Sequence, residues 1–177
     1  MKKIFLTLAI TFVAVVAAMA QQMRYADSEY ILKHIPDYMS AQKQLAVLSD
    51  QWSKEVDNRN QEVERLFKAY KADEVLMTAD MKKRREAEIV DKEKDAKDFQ
   101  RQKFGPDGEL AKQSSLLIKP IQERVEKAIQ AEAEAENLDF VFDKNSQEAM
   151  MLYATPRYDI SAKVITRLGL KPGVFAK

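Results

Sequence analysis

The chain has 177 residues, 46% hydrophobic and 32% charged, with 4 Gly, 5 Pro, no Cys and a formal net charge of +1. Average usage would supply about 12 Gly and 9 Pro, and residues 37–104 contain neither. That excludes a sandwich of short strands or a regularly alternating α/β sheet over this stretch, because both need turn residues about every dozen positions.

Lys2 and Lys3, an apolar run over 4–16 and the small-x-small pattern Ala18-Met19-Ala20 read as a secretory signal peptide cleaved near Ala20. The run is too short for a membrane anchor of about 20 apolar residues, and polar Gln21-Gln22-Met23-Arg24 closes it. No Cys follows that could be lipidated, and an exported chain without Cys holds no disulfide. Loss of Lys2 and Lys3 takes the formal charge from +1 to −1. Such a balance gives no support to nucleic-acid binding, which draws its affinity from clustered cations.

Residues 23–26 read as a short strand, and Asp27 or Ser28 caps a short helix over 29–34 with Lys33 and His34 at its C-terminal end. Pro36 suits the first position of a helix that continues to about 72. Its stripe runs through Leu45, Leu48 and Trp52, then shifts phase to Val56, Val63 and Tyr70, which is a coiled-coil stutter. Phe67 and Tyr70 are expected in the seam between this helix and its return. The chain is expected to reverse over 73–78, with Thr78 capping the return helix, whose sparse stripe is Met81, Ile89, Ala96 and Phe99. Just over half of residues 53–103 are charged, so this pair is a solvated helical hairpin.

Gly105-Pro106-Asp107-Gly108 breaks the return helix and suggests a hinge. A third helix runs from 109 to about 137 with Leu117, Ile121, Val125, Ala128 and Ile129 on one face, and Pro120 should kink or restart it. Residues 139–143 and 149–154 read as a β-hairpin with a five-residue polar loop. Asp159 caps a last helix to Leu168, closed by Gly169. The fold class is α+β, mostly α: a leader over 1–20, a small α/β base from 21–36 and 138–177, and a helical arm over 37–137. Three short strands bury little alone, so the base is expected to associate with copies of itself.

Among chemical signatures, a lone His34 without a partner motif reads as a surface or capping residue. No glycine-rich phosphate loop is present, and no cofactor, metal site or enzymatic activity is expected. Lys82-Lys83-Arg84-Arg85 is the strongest basic run, read as a solvated face or an anion contact. Met77 and Met81, near the reversal where little can cover them, are candidates for adaptable contacts with a partner. Phe99 and Phe104 are either seam residues or further adhesive spots.

The strand Arg24-Tyr25-Ala26 followed by Asp27-Ser28-Glu29-Tyr30-Ile31-Leu32, the charged hairpin, Leu138-Asp139-Phe140-Val141-Phe142-Asp143 and Leu152-Tyr153-Ala154 together resemble the Skp (OmpH-like) family of periplasmic chaperones. Phe104-Gly105-Pro106-Asp107-Gly108-Glu109-Leu110 with Ile118-Lys119-Pro120-Ile121 looks like the variant found in Bacteroidetes. The resemblance implies a homotrimer whose short strands form a shared base, with helical arms enclosing unfolded outer-membrane β-barrel proteins in the periplasm without ATP. On that reading Met77, Met81, Phe99 and Phe104 contact clients, and Tyr25, Phe140, Val141, Phe142, Met151, Leu152 and Tyr153 build the oligomer base. Lys82, Lys83, Arg84 and Arg85 make weak contact with anionic lipid, and nucleic acid is no partner. The rival reading is a coiled-coil adaptor or spacer of the envelope that binds a folded partner.

Overall fold

The structure, a computed structural model, describes residues 22–146 and 151–176. The expected leader over 1–20 lies outside the described residues. In chain order the elements are β1 (Met23–Ala26), α1 (Ser28–Leu32), α2 (Pro36–Asp73), a 3-10 turn (Glu74–Leu76), α3 (Ala79–Phe104), α4 (Glu109–Glu136), β2 (Phe140–Asp143), a second 3-10 turn (Pro156–Tyr158) and α5 (Ser161–Arg167). The chain divides into two compact units, one of Met1–Pro36 with Gln122–Lys177 and the other of Asp37–Ile121.

In the first unit β1 and β2 pair in parallel, Met23 opposite Phe140 and Ala26 opposite Asp143, and the other side of β1 bridges to Asp159 through Tyr25. Asp27 ends β1 and caps α1, its Oδ1 accepting from the Tyr30 N–H at 2.8 Å, which satisfies a donor the first turn leaves free. The Asp27 N–H in turn donates to Ser161 Oγ at 2.8 Å, tying the start of α1 to the start of α5. Ile31, Ile35, Ile160, Val164 and Ile165 are fully buried and form the core, with Val125 and Ala128 from α4 buried as well.

Two helix ends close by the same device. Gly169, at φ +77°, donates to the Thr166 carbonyl at 2.9 Å while Leu170 donates to Ile165 at 3.0 Å. Asn137, at φ 53°, donates to Glu134 and Leu138 to Ala133, at 3.2 and 2.9 Å. Both are Schellman caps, in which a left-handed residue turns the chain so that two terminal carbonyls are paired.

In the second unit α2 runs 38 residues, about 57 Å at 1.5 Å per residue. The ring of Trp52 meets that of Phe104, Arg59 covers Phe99 and Tyr70 bonds Glu86. That order of partners is an antiparallel hairpin. The reversal falls at 73–78 as expected, and Thr78 caps α3 by accepting from the Met81 N–H at 3.3 Å.

Three expectations are corrected. The β-hairpin is not formed: β2 pairs with β1, residues 151–155 have no regular structure, and residues 147–150 of its loop and second strand lie outside the described residues. Leu152 and Tyr153 are 89% and 83% exposed, so among the described residues no layer rewards extending them as a strand. Pro120 neither ends nor restarts its helix, since α4 is continuous from Glu109 to Glu136. The carbonyl that loses its N–H partner is that of Leu116, an exposed residue, where water can replace the missing bond. Phe67 is about half exposed while Tyr70 is buried, so only the tyrosine belongs to the seam.

Candidate functional site

The reversal between α2 and α3 is set by polar bonds that leave its apolar side chains outside. Tyr70, buried one turn before the end of α2, donates from its hydroxyl to Glu86 Oε1 at 2.6 Å and clips the two helices together. Lys71 pairs with Glu74 at 2.9 Å across the start of the 3-10 turn. With α2 ended at Asp73 and α3 begun at Ala79, the chain must place Val75, Leu76 and Met77 at the apex, where no third element among the described residues covers them. Val75 is 91% and Leu76 84% exposed, and Met81 adds a half-exposed thioether from the first turn of α3. Met77 is half-buried. Leu76, Met77 and Met81 line an open groove of about 490 Å³ together with Asp73, Arg84, Arg85 and Glu88.

The clip has a titration signature. Donating to an anionic carboxylate, being buried, and facing the Glu86 charge all oppose formation of the phenolate, and they push the Tyr70 hydroxyl from 10.0 up to about 12. A group whose folded value is raised stabilises the fold below its unfolded value and loses that contribution as pH climbs through the folded value. The clip is therefore intact at neutral pH and opens only between about pH 10 and 12. Ultraviolet difference titration should find one phenol ionising near pH 12, and Tyr70→Phe should remove that phase.

Of the four residues singled out for partner contact, the structure brings Met77 and Met81 together and separates them from Phe99 and Phe104. Phe99 lies some 18 residues further along α3 than Met81, about 27 Å. There the Arg59 guanidinium sits 4.4 Å over the Phe99 ring, and Phe104 packs edge-on against Trp52 at 6.4 Å. Lys103 covers Trp52 at 4.7 Å. These rings are occupied by neighbours of their own unit. Val75 and Leu76 went unnoticed in the sequence, although an apolar pair between the end of one helix at Asp73 and the N-cap of the next at Thr78 is the pattern that forces such residues outward.

The basic run is partly engaged: Arg85 pairs with Glu88 at 2.7 Å, while Lys83 and Arg84 are exposed. Along the same hairpin, paired carboxylates are held below their ordinary range. Glu62 is lowered chiefly by its hydrogen bonds from Arg65, Glu64 by that from Lys68 and Glu74 by that from Lys71. All are solvated pairs of the kind that contribute little individually.

In the first unit, Phe140 and Phe142 stack on the outer face of β2 with centroids 6.5 Å apart and are 51% and 42% exposed. Val141, less exposed than either ring, lines a groove of about 370 Å³ whose walls include Leu32, Val125, Ile129 and also Phe142. Tyr25 is buried in the unit's own core, and Met151 is half-buried. Beside them Glu132, itself buried, accepts from Arg167 Nε at 2.8 Å and Nη2 at 2.7 Å. The hydrogen bond from Lys163 holds the Glu136 carboxyl below its ordinary range.

His34 corrects the expectation of a surface or capping residue: it is 2% exposed, inside the first unit. Its placement follows from the chain turning at 33–35 so that Ile35 and the ring both face inward. Among the described residues no group of three His, Cys, Asp or Glu is arranged to hold a metal. No helix among them is long and apolar enough to cross a membrane.

The family described as outer membrane protein (OmpH-like) matches residues 22–168. A crystal structure from Caulobacter crescentus CB15, described as a candidate outer membrane chaperone (OmpH-like), is similar in fold with a TM-score of 0.62. It shares 16% identity, and the match covers 89% of this chain and 90% of that one. No curated protein matches the chain significantly.

Proposed function

The chain belongs to the OmpH-like outer membrane protein family, and from that membership we propose that it is a periplasmic, ATP-independent holdase that encloses unfolded outer-membrane proteins before insertion. The observation that carries this reading is the apex of the hairpin, where Val75, Leu76, Met77 and Met81 are clustered and meet water on a strongly charged pair of helices. The flexible thioethers of Met77 and Met81 accept many apolar sequences without fixing one, which is what an unfolded client requires. Isolated apolar residues are normal on a surface, but a cluster at a chain reversal with a groove beside it marks a contact site.

The working unit in this proposal is a homotrimer. Phe140 and Phe142 on the outer face of β2, with exposed Leu152 and Tyr153, supply apolar surface for subunits to bury. Export by the leader, cleaved near Ala20, places the protein in the periplasm. Lys82, Lys83, Arg84 and Arg85 supply a weak contact with anionic lipid, carried mainly by exposed Lys83 and Arg84 because Arg85 is paired with Glu88.

Diluting a urea-unfolded outer-membrane porin into buffer without nucleotide tests the reading directly. With one trimer equivalent of the protein present, light scattering should stay near baseline. Aggregation at the rate seen without the protein would overturn the proposal.

A further inference from the structure

The buried histidine does more than fill space. His34 Nδ1 lies 2.8 Å from the Tyr30 carbonyl oxygen, and the Gly173 N–H points at Nε2 from 3.0 Å. A carbonyl only accepts and an amide N–H only donates. The two contacts therefore define one state of the ring: neutral, with its hydrogen on Nδ1 and a lone pair on Nε2.

The second contact holds the segment 170–176 against α1. Phe175 packs on the His34 ring with centroids 4.6 Å apart and edge-on to Tyr30 at 5.8 Å, and the Ala176 N–H donates to the Lys33 carbonyl at 3.3 Å. The path depends on Gly169 and Gly173, both at left-handed φ, +77° and +79°, which other residues adopt only with strain. Little else retains the segment, since Val174 and Phe175 remain 63% and 53% exposed. The bond to Nε2 is thus a main attachment.

We propose that His34 is a proton-operated latch for residues 170–176, closed when the ring is neutral and opened when it is protonated. A proton on Nε2 would set one N–H against another at 3.0 Å and place a charge in a site that is 2% exposed. From α1 the ring is faced by Tyr30, next to Lys33, which is paired with Glu29 at 2.6 Å. From the tail it is faced by Gly173 and Phe175, on a segment that carries Lys171. The charged residues of α5, Lys163 and Arg167, are engaged by Glu136 and Glu132. Among the described residues no carboxylate bonds the ring to compensate a positive charge. An imidazolium would be attracted to an aromatic ring, but of the two beside it Phe175 belongs to the segment being released, and Tyr30, 4.6 Å away on α1, is present whether the tail is docked or not. Docking and protonation therefore exclude each other. By linkage the tail is held while the ring is neutral and released when acidification protonates it.

Hydrogen exchange of the tail amides, read by mass spectrometry and corrected for intrinsic rates, tests the latch. Protection of Gly173 and Ala176 should drop roughly tenfold or more between about pH 7.5 and 5.5, matching loss of a charge-gated hydrogen bond. His34→Gln keeps an acceptor that does not titrate and should retain protection at both values, whereas His34→Phe should lose it at both. Equal protection of the unmodified protein at the two pH values would overturn the proposal, as would a pH-dependent loss that persists undiminished in His34→Gln.

Discussion

Replacing Val75, Leu76, Met77 and Met81 together with serine should weaken binding of an unfolded outer-membrane porin by about 30-fold to several hundredfold, with the helices unchanged. The magnitude follows from area. A fully buried aliphatic side chain contributes about 1.5–3 kcal/mol, and contact with a mobile client buries each of these only in part. A sum of about 2–4 kcal/mol over four residues is reasonable, and each 1.4 kcal/mol is tenfold in affinity. Folding should not suffer, because Val75, Leu76 and Met81 are half or more exposed and the reversal is held by Tyr70 with Glu86 and by the Thr78 cap. Titrating labelled porin against both proteins measures the ratio, and far-ultraviolet circular dichroism reports the helices. A ratio near one would move client contact away from the apex. The paired change Phe99→Ser with Phe104→Ser is the matched control. Those rings already pack against Arg59, Lys103 and Trp52, so their loss should disturb the hairpin before it disturbs the client.

The contrast between Phe67 and Tyr70 shows why periodicity carried the sequence reading far but not to the side chain. Both fall on the apolar stripe of α2, and a stripe fixes a face of about 100° or more rather than a contact. The tyrosine is inside because Glu86 on the facing helix accepts the hydrogen bond from its hydroxyl, and nothing in the spacing of α2 names a residue sixteen positions away. The helix ends were legible for the opposite reason. Thr78 and Gly169 act within three to five residues of themselves, so their chemistry is local. Long-range partners decided the remainder: β2 pairs with β1 across the whole hairpin, and an apolar run at 149–154 looks like a strand whether or not this chain supplies its neighbour. His34 belongs to the same class, since its acceptor role depends on a glycine 139 residues away. At the apex the methionines were legible by type, and Val75 and Leu76 only by position.

In the proposed homotrimer, Phe140→Asp combined with Phe142→Asp should separate the subunits while leaving each one folded. The side chains that alternate along β2 separate the two outcomes. Val141 faces the unit's own groove, against Leu32, Val125 and Ile129, so a charge there would attack folding and assembly together. Phe140 and Phe142 stack on each other, 51% and 42% exposed; Phe142 also lines that groove, but its exposure lets an isolated subunit carry an aspartate at either position in contact with water. Between subunits the same aspartates would be buried without a partner, and a buried unpaired charge costs several kcal/mol. Three interfaces would each carry two such charges, enough to dissociate an assembly held by four exposed apolar residues per chain. Light scattering coupled to size exclusion should show the mass of one chain in place of three. Circular dichroism should show helix content retained, as the core at Ile31, Ile165 and Val164 is untouched. An unchanged mass would remove β2 from the interface and leave Leu152 and Tyr153 as the surface through which the subunits meet.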